Sequence, residues 1–291
     1  MAPLLLLLMC PAAEPSLAPA SNPVVTADAV DVAEGSLVQT AFETVAPPTA
    51  ARTLPDRPRL VPRATVAADG QVIAEAGVQY VDFGTTSVDW FDVTEHTQVA
   101  PSALLRYGLT ETIELRAGMQ HLATSITFDE WFDASADATF VLLGGKWLAA
   151  QNGDRSARLS VLAEAGLLAT EHNNAFAGQA VALAEADLTD VWTLGGGAGV
   201  FGVGESEITD SGAEAILSIA IERRIGRGAV FAEVADVPLG RSFAQLAGLI
   251  PLGDSMLLDL HGGVAGYTES FDGDTIDSTG GFVGVGLSWL R

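Results

Sequence analysis

The sequence is poor in basic residues, with 14 Lys and Arg against 37 Asp and Glu among 291 residues, a formal charge of −23. Lys146 is the single lysine, so nucleic-acid binding is excluded, because phosphate contacts need clustered Lys and Arg. The single cysteine, Cys10, excludes a disulfide framework. No uncharged run reaches the roughly 18 to 20 residues that a membrane-spanning helix needs. The longest, residues 191–204, is interrupted by Gly195, Gly196, Gly197 and Gly199.

Apolar residues are nevertheless abundant. They make up 48% of the chain, the mean hydropathy is +0.32, and there are 31 glycines. This composition excludes a disordered acidic protein, which would have too few apolar side chains to form a buried core. The hydrophobicity must therefore be spread over many short segments.

Two segments precede the patterned part of the chain. Residues 1–20 contain a short apolar run and end in Ala18, Pro19 and Ala20, which is typical of a secretory signal peptide with an A-x-A cleavage site. Acylation of Cys10, as in a lipoprotein, is the alternative. Residues 21–69 are rich in proline and alanine without a regular period, so we predict a flexible periplasmic leader. Its four arginines, Arg52, Arg57, Arg59 and Arg63, are interpreted as part of a solvated tail.

Residues 70–291 alternate apolar with small or polar side chains in segments of about ten residues, which is typical of half-buried strands. Twelve such segments can be counted, joined alternately by short turns and by longer, mostly acidic loops, two of which are predicted at residues 122–136 and 266–279. The even number and the two classes of connection predict an all-β fold. We expect a transmembrane antiparallel up-and-down β-barrel of about twelve strands with a disordered N-terminal leader. Its location would be the outer membrane of a Gram-negative-type bacterium, with membrane lipid, lipopolysaccharide and the barrel assembly machinery as partners.

Two features favour a membrane barrel over a soluble one. Aromatic residues end the apolar faces on the short-turn side, as an interfacial girdle would: Tyr107, Trp147, Trp192 and Trp289. The opposite faces carry charged groups that a dry core could not hold unpaired. A soluble secreted β-barrel that acts as a binding module stays as an alternative.

Three stretches resemble a known family. Residues 104–116 (LLRYGLTETIELR), the ending 281–289 (GFVGVGLSW) and the entry segment 57–80 are similar to the outer-membrane transporters associated with the phenol-degradation (MetA) pathway. The resemblance covers residues 57–291. It implies a passive outer-membrane channel.

The first hairpin supplies the main candidates for a functional site. With Leu109 as the centre of the turn, Ser102 would face Arg116, Leu104 would face Glu114, and Arg106 would face Thr112. An inward-facing cluster of Arg106, Glu114 and Arg116 follows from this register. It is either a charge ladder that selects a permeating solute or a structural ion-pair network. Further lumenal candidates are Glu222, Asp259 and His261.

Enzyme motifs and cofactor sites are not predicted. The glycine run at residues 195–199 lacks the Lys and Ser/Thr of a phosphate-binding loop and suits a curved barrel wall instead. No GxSxG motif occurs. The acidic residues Asp272, Asp274 and Asp277 are weak candidates for a surface Ca²⁺ or Mg²⁺ site, but Val283 stands where a calcium loop requires a bidentate Glu.

The sequence thus predicts a passive channel or transporter for small organic molecules, including hydrophobic or aromatic ones. A structural or adhesive outer-membrane barrel with a blocked lumen is the alternative.

Overall fold

The computed structural model describes residues 54–57, 59–84, 86–88, 91–128, 132–170, 174–204, 212–237, 241–271 and 274–291. The predicted signal peptide lies outside these ranges. Within these ranges the structure contains thirteen strands: β1 (Val72–Asp82), β2 (Thr86–Val88), β3 (Phe91–Gly108), β4 (Ile113–Phe128), β5 (Phe132–Gln151), β6 (Ala157–Thr170), β7 (Asn174–Asp187), β8 (Trp192–Val203), β9 (Gly212–Ile225), β10 (Gly228–Val237), β11 (Arg241–Pro251), β12 (Met256–Phe271) and β13 (Asp274–Leu290).

The strands close into a barrel. From β3 to β13 each strand pairs antiparallel with the next, and β1 joins the two ends by pairing with both β13 and β3. Twelve long strands therefore form the wall, and the short β2 is added to β3. The predicted twelve-stranded, up-and-down antiparallel barrel is confirmed. No helix in the described ranges is long and apolar enough to cross a bilayer.

Side chains alternate between the two faces of the wall. On β6, Leu159, Val161 and Leu167 are exposed on the outside, whereas Leu162 and Glu164 are buried inside. The exposed large side chains of the other long strands are also predominantly apolar, and Leu246 on β11 is 71% exposed. Because successive residues of a strand point to opposite faces, each strand has one apolar face, and this face lies on the outside, as it does in a membrane barrel.

The two ends of the barrel differ, although less than predicted. Short turns lie at one end, including residues 152–156, where the backbone N–H and then the hydroxyl of Ser156 donate to Asp154 and lower the pKa of that carboxyl. At the other end β4 and β5 stay paired up to Phe128 and Phe132. The long loop predicted at residues 122–136 is therefore wrong in length. The same holds at residues 266–279, because β12 continues to Phe271.

The register of the first hairpin also differs from the prediction. Arg106 lies opposite Arg116, and Leu104 lies opposite Gly118. The turn is centred on Glu111, because Thr110 Oγ1 accepts the backbone N–H of Ile113 and tightens a longer turn. Each partner moves by four residues. An even shift keeps every side chain on its face, so the predicted inward cluster survives the error.

The largest correction concerns the last part of the predicted leader, from residue 54 onward. Residues 54–57 and 59–71, which we call the lumenal segment, lie inside the barrel instead of in solution. Val61, Arg63, Ala64 and Ala67 are each less than 5% exposed. Periodicity could not reveal this placement, because the segment is held by side-chain contacts and belongs to no strand. Arg52 and the preceding residues lie outside the described ranges.

Burial of the outer face in lipid can be tested with one substitution. Leu143 is 62% exposed on the outside of β5, four residues from Trp147. Leu143→Arg should lower the free energy of unfolding in bilayers by about 2–4 kcal/mol, because an arginine near the bilayer midplane must be taken out of water. Denaturant titration followed by tryptophan fluorescence measures this.

The matched control is Leu109→Arg in the short turn, where Leu109 is 47% exposed. It should change stability much less, since the penalty falls towards the interface. Equal effects of the two substitutions would contradict a lipid-facing wall.

Candidate functional site

The lower lumen, next to the short turns, holds a buried charge cluster. Arg106 is fully buried and donates from Nε and Nη2 to the two oxygens of Glu114, at 2.9 and 2.8 Å. Arg116 donates from Nη1 to Glu114 at 2.9 Å and from Nε to Glu164 at 2.7 Å. The structure thus brings the predicted residues Arg106, Glu114 and Arg116 together. Such charge-assisted, bidentate pairs are the strong ones.

A residue of the lumenal segment completes this cluster. The carboxylate of Asp56 accepts from Arg116 Nη1 at 2.5 Å and lies 3.4 Å from both Arg106 Nη1 and Lys146 Nζ. Lys146 also donates to the backbone carbonyl of Arg63 at 3.1 Å. The sequence prediction missed Asp56, because it stands in a proline-rich stretch with no strand period.

The segment makes three further ion pairs with the wall. Arg59 Nη1 lies 2.8 Å from Glu185 Oε1, Arg63 pairs with Glu222, and Arg57 Nε lies 3.5 Å from Asp259 Oδ2. The expectation that these arginines are solvated is therefore wrong.

Carboxylates of the wall also accept hydrogen bonds from the backbone of the segment. Glu75 accepts the N–H groups of Asp56 and Arg57 at 3.1 and 2.7 Å. Glu233 accepts those of Leu60 and Val61 at 2.9 and 3.3 Å. The sequence signal for Glu75 and Glu233 was a carboxylate within a predicted strand. The predicted site nevertheless did not include either residue.

The remaining lumenal candidates lie outside the charge cluster. Glu222 and Asp259 take their partners from the segment, as described above. His261 Nδ1 lies 3.3 Å from Asp259 Oδ1, and its side chain is buried. The six predicted lumenal residues therefore all face inward, but only three of them form one cluster.

The four predicted girdle residues all lie on the outer face. Tyr107, Trp147, Trp192 and Trp289 are between 38% and 54% exposed, and each stands near the short-turn end of its strand. Arg223 lies over the ring of Trp192, 5.6 Å from its centroid. Their role at a membrane interface stays a prediction.

The weak cation candidates are only partly described. Asp272 lies outside the described residues, whereas Asp274 and Asp277 stand on β13, paired with Phe271 and Thr268 of β12. Within the described part of the chain, no group of three or more His, Cys, Asp or Glu side chains is placed to hold a metal ion.

Above the segment, towards the loop end, the lumen encloses a cavity of about 380 Å³. Apolar side chains dominate much of its surface, and Leu60 and Val61 of the segment form part of its floor. Charged side chains also line it: Asp56, Arg57 and Arg59 of the segment and Arg116, Glu164 and Arg241 of the wall. The lining includes Leu122, Phe140, Leu142, Phe201, Ile216 and Phe243, with Gln79, Ser102, Gln179 and His261 among the polar members. The volume falls within the range of about 300–1,000 Å³ typical of small-molecule sites.

No protein-family model matches the chain, and no curated protein sequence matches it. Solved structures do. An outer-membrane channel from Pseudomonas putida F1 aligns over 84% of this chain and 100% of its own, with 10% identity and a TM-score of 0.55. The translocator domain of the autotransporter NalP from Neisseria meningitidis aligns over 76% of this chain and 88% of its own, with 14% identity and a TM-score of 0.49. The toluene transporter TbuX from Ralstonia pickettii aligns over 76% and 90%, with 7% identity and a TM-score of 0.41.

The likeness to the Pseudomonas channel concerns the fold. The chain is a β-barrel of the outer-membrane type, as its apolar outer face also indicates. Its resemblance to the phenol-degradation transporters stays a prediction.

The charge cluster leads to a stability prediction. Glu114→Gln keeps the shape of the side chain but removes the negative charge shared by Arg106 and Arg116. The free energy of unfolding should fall by about 3 kcal/mol or more, because buried cations lose their partner. Denaturant titration in bilayers measures the change.

Asp254→Asn is the control, since Asp254 pairs with Arg227 on an exposed turn. Exposed pairs contribute little, so this variant should behave like the wild type. A Glu114→Gln protein as stable as the control would show that the cluster does not hold the lower lumen together.

Proposed function

We propose that the chain is a channel in the outer membrane of a Gram-negative-type bacterium that takes up small organic molecules with apolar or aromatic bodies. The observation that carries this proposal is the cavity of about 380 Å³ in the upper lumen. A barrel whose lumen served only as a structural support would have no need of an apolar chamber there. The proposed role is transport and not catalysis.

The chemistry of the cavity supports an apolar solute. Phe140 and Phe201 meet edge to face on one side, with ring centroids 6.1 Å apart, and Phe243 and Phe282 do so nearby at 5.4 Å. Aromatic walls favour planar or aliphatic solutes through burial of apolar area. Side-chain amides such as that of Gln79 offer a hydrogen bond to one polar group of the solute.

The predicted lumenal charges take a different part in this proposal. Arg106, Glu114, Arg116 and Glu222 are engaged with one another or with the lumenal segment, so we assign them to bracing the lower lumen. Of the six candidates, Arg116 and His261 line the cavity, and His261 is the better placed to meet a solute because it lies outside the charge cluster. Asp259 lies beside it.

The surroundings of the barrel follow from its outer face. We propose that its apolar face contacts membrane lipid and that Tyr107, Trp147, Trp192 and Trp289 lie at the interface near the short turns. Lipopolysaccharide at the opposite rim and the barrel assembly machinery are further expected partners.

A second candidate function is favoured by one observation. The lumenal segment fills the lower lumen, which suits a structural or adhesive barrel whose lumen is permanently blocked. The two functions differ in whether a solute that enters the cavity reaches the other side.

Uptake of a labelled monoaromatic alcohol by intact cells that produce the protein separates the two functions. We expect uptake at least several-fold above that of cells without the protein. Ala100→Trp should abolish the increase, because Ala100 lines the cavity and a large side chain there would fill it.

Ala165→Trp is the matched control, since Ala165 is exposed on the outer face of β6 and the same substitution leaves the lumen unchanged. Equal uptake by cells with and without the wild-type protein would contradict the channel and favour the blocked barrel.

A further inference from the structure

We propose that the lumenal segment is a plug held by charge, which leaves the lumen as a unit and thereby opens a cation-selective pore through the lower lumen. This inference rests on the proposed function, because it assumes that the barrel conducts.

The balance of charge on the inner wall is the first reason. Among the described strand residues, the buried carboxylates number seven: Glu75, Glu114, Glu164, Glu185, Glu222, Glu233 and Asp259. Among the same described strands, the buried basic side chains number three: Arg106, Arg116 and Lys146. Inside the lumen, the segment supplies Arg57, Arg59 and Arg63 against Asp56, while its second acid, Asp69, is exposed at the short-turn end. It therefore offsets about half of an excess of four negative charges.

The pairing of these charges is specific. Each of the three arginines of the segment meets a different carboxylate, on β12, β7 and β9 respectively. Asp56 in turn meets the three cations of the wall. The wall is thus complementary to the segment around most of its circumference, as a binding site is to its ligand.

The shape of the wall fits the segment as well. Glycines stand where the segment comes closest. A Cβ atom at Gly197 would lie 2.8 Å from Val61 Cγ1, its nearest neighbour. A Cβ at Gly108 would overlap the carbonyl oxygen of Ala68. Such distances are too short for carbon atoms, so these positions need glycine while the segment is in place.

The segment can nevertheless leave without breaking the barrel. In the described part of the chain, the strand pairings join wall strands only to one another and to β2. The segment closes on itself instead: the backbone N–H of Arg63 donates to Asp56 Oδ1 at 3.1 Å, and Arg63 Nε donates to the carbonyl of Pro55 at 3.0 Å. It returns to the short-turn end, where Gly70 donates to the carbonyl of Gly108 at 2.9 Å. Its withdrawal would leave the twelve-stranded ladder intact.

The energetics favour a reversible plug. An ion pair buried in protein gives up the hydration of both partners, so its net gain over two hydrated ions is modest. Withdrawal lets water reach both sides of each pair. Carboxylates then outnumber cations on the inner wall, by seven to three among the buried strand residues and still when the partly buried Arg158, Arg241 and Asp187 are included. Rings of acidic side chains select cations in water-filled pores.

Single-channel recording in planar bilayers tests the plug, with Arg59→Gln and Arg63→Gln combined to loosen it. We expect the open probability to rise at least about tenfold, since a tenfold change needs only about 1.4 kcal/mol. In a KCl gradient, the reversal potential should shift from zero towards the equilibrium potential of K⁺. Arg224→Gln combined with Arg227→Gln, which removes the same charge from exposed positions at the end of β9 and in the turn that follows it, should behave like the wild type.

A cross-link separates withdrawal of the segment from the change in charge. Ser160 Oγ contacts the carbonyl oxygen of Ala64, so Ala64→Cys and Ser160→Cys can join segment to wall. We would add both to the loosened variant together with Cys10→Ala. The oxidised protein should be silent, and reduction should restore the current. Heat-modifiable gel mobility confirms that each variant is folded.

Equal currents before and after reduction, including none in both states, would overturn the plug. Currents without cation preference would overturn the assignment of selectivity to the wall. If reduction opens a cation pore but cells show no uptake of the aromatic alcohol, the plug stands and the proposed substrate class fails.

Discussion

Buried carboxylates on the inner wall require positive partners, and the arrangement of the lumen depends on how they obtain them. A carboxylate out of water is tolerated only when it is paired and hydrogen-bonded. The strands themselves supply too few cations, because the sequence has only 14 basic residues in all. Three of those 14 lie on the lumenal segment, each against a wall carboxylate. The segment and the wall therefore stabilise each other.

This constraint divides the lumen into two parts. The lower part is filled with paired charges and with the segment. The upper part is lined largely by apolar groups, and Leu60 of the segment packs against both of its hydrophobic clusters. The same short stretch of chain thus neutralises the charges below and forms a floor for the cavity above. Both the proposed uptake of organic solutes and the proposed opening of a pore depend on whether the lumenal segment occupies the lumen.

The sequence predicted the barrel well because period-two alternation reports directly on which side of a strand each residue occupies. Even the wrong register of the first hairpin kept Arg106, Glu114 and Arg116 on the inner face, since its error was an even number of residues. Turn type decides register, and the turn at Thr110 and Glu111 carries no glycine or proline that would mark its centre.

The lumenal segment could not be predicted in the same way. Its position is fixed by contacts across the barrel, such as Arg59 with Glu185, which are 126 residues apart in the chain. No local pattern encodes a contact of that kind. A proline-rich stretch with four arginines has the same composition whether it is solvated or bound. The excess of carboxylates on the inner face of the strands was the only signal that a positive partner was missing.

A double-mutant cycle on Arg59 and Glu185 tests most directly whether the segment is bound to the wall by charge. Their side chains are almost fully buried, with Nη1 and Oε1 2.8 Å apart. The free energy of unfolding in bilayers would be measured for Arg59→Gln, Glu185→Gln and the double variant. If charge binds the segment to the wall, the double variant should lose less stability than the sum of the two single losses, by about 1 kcal/mol or more. Losses that add to within about 0.5 kcal/mol would contradict it.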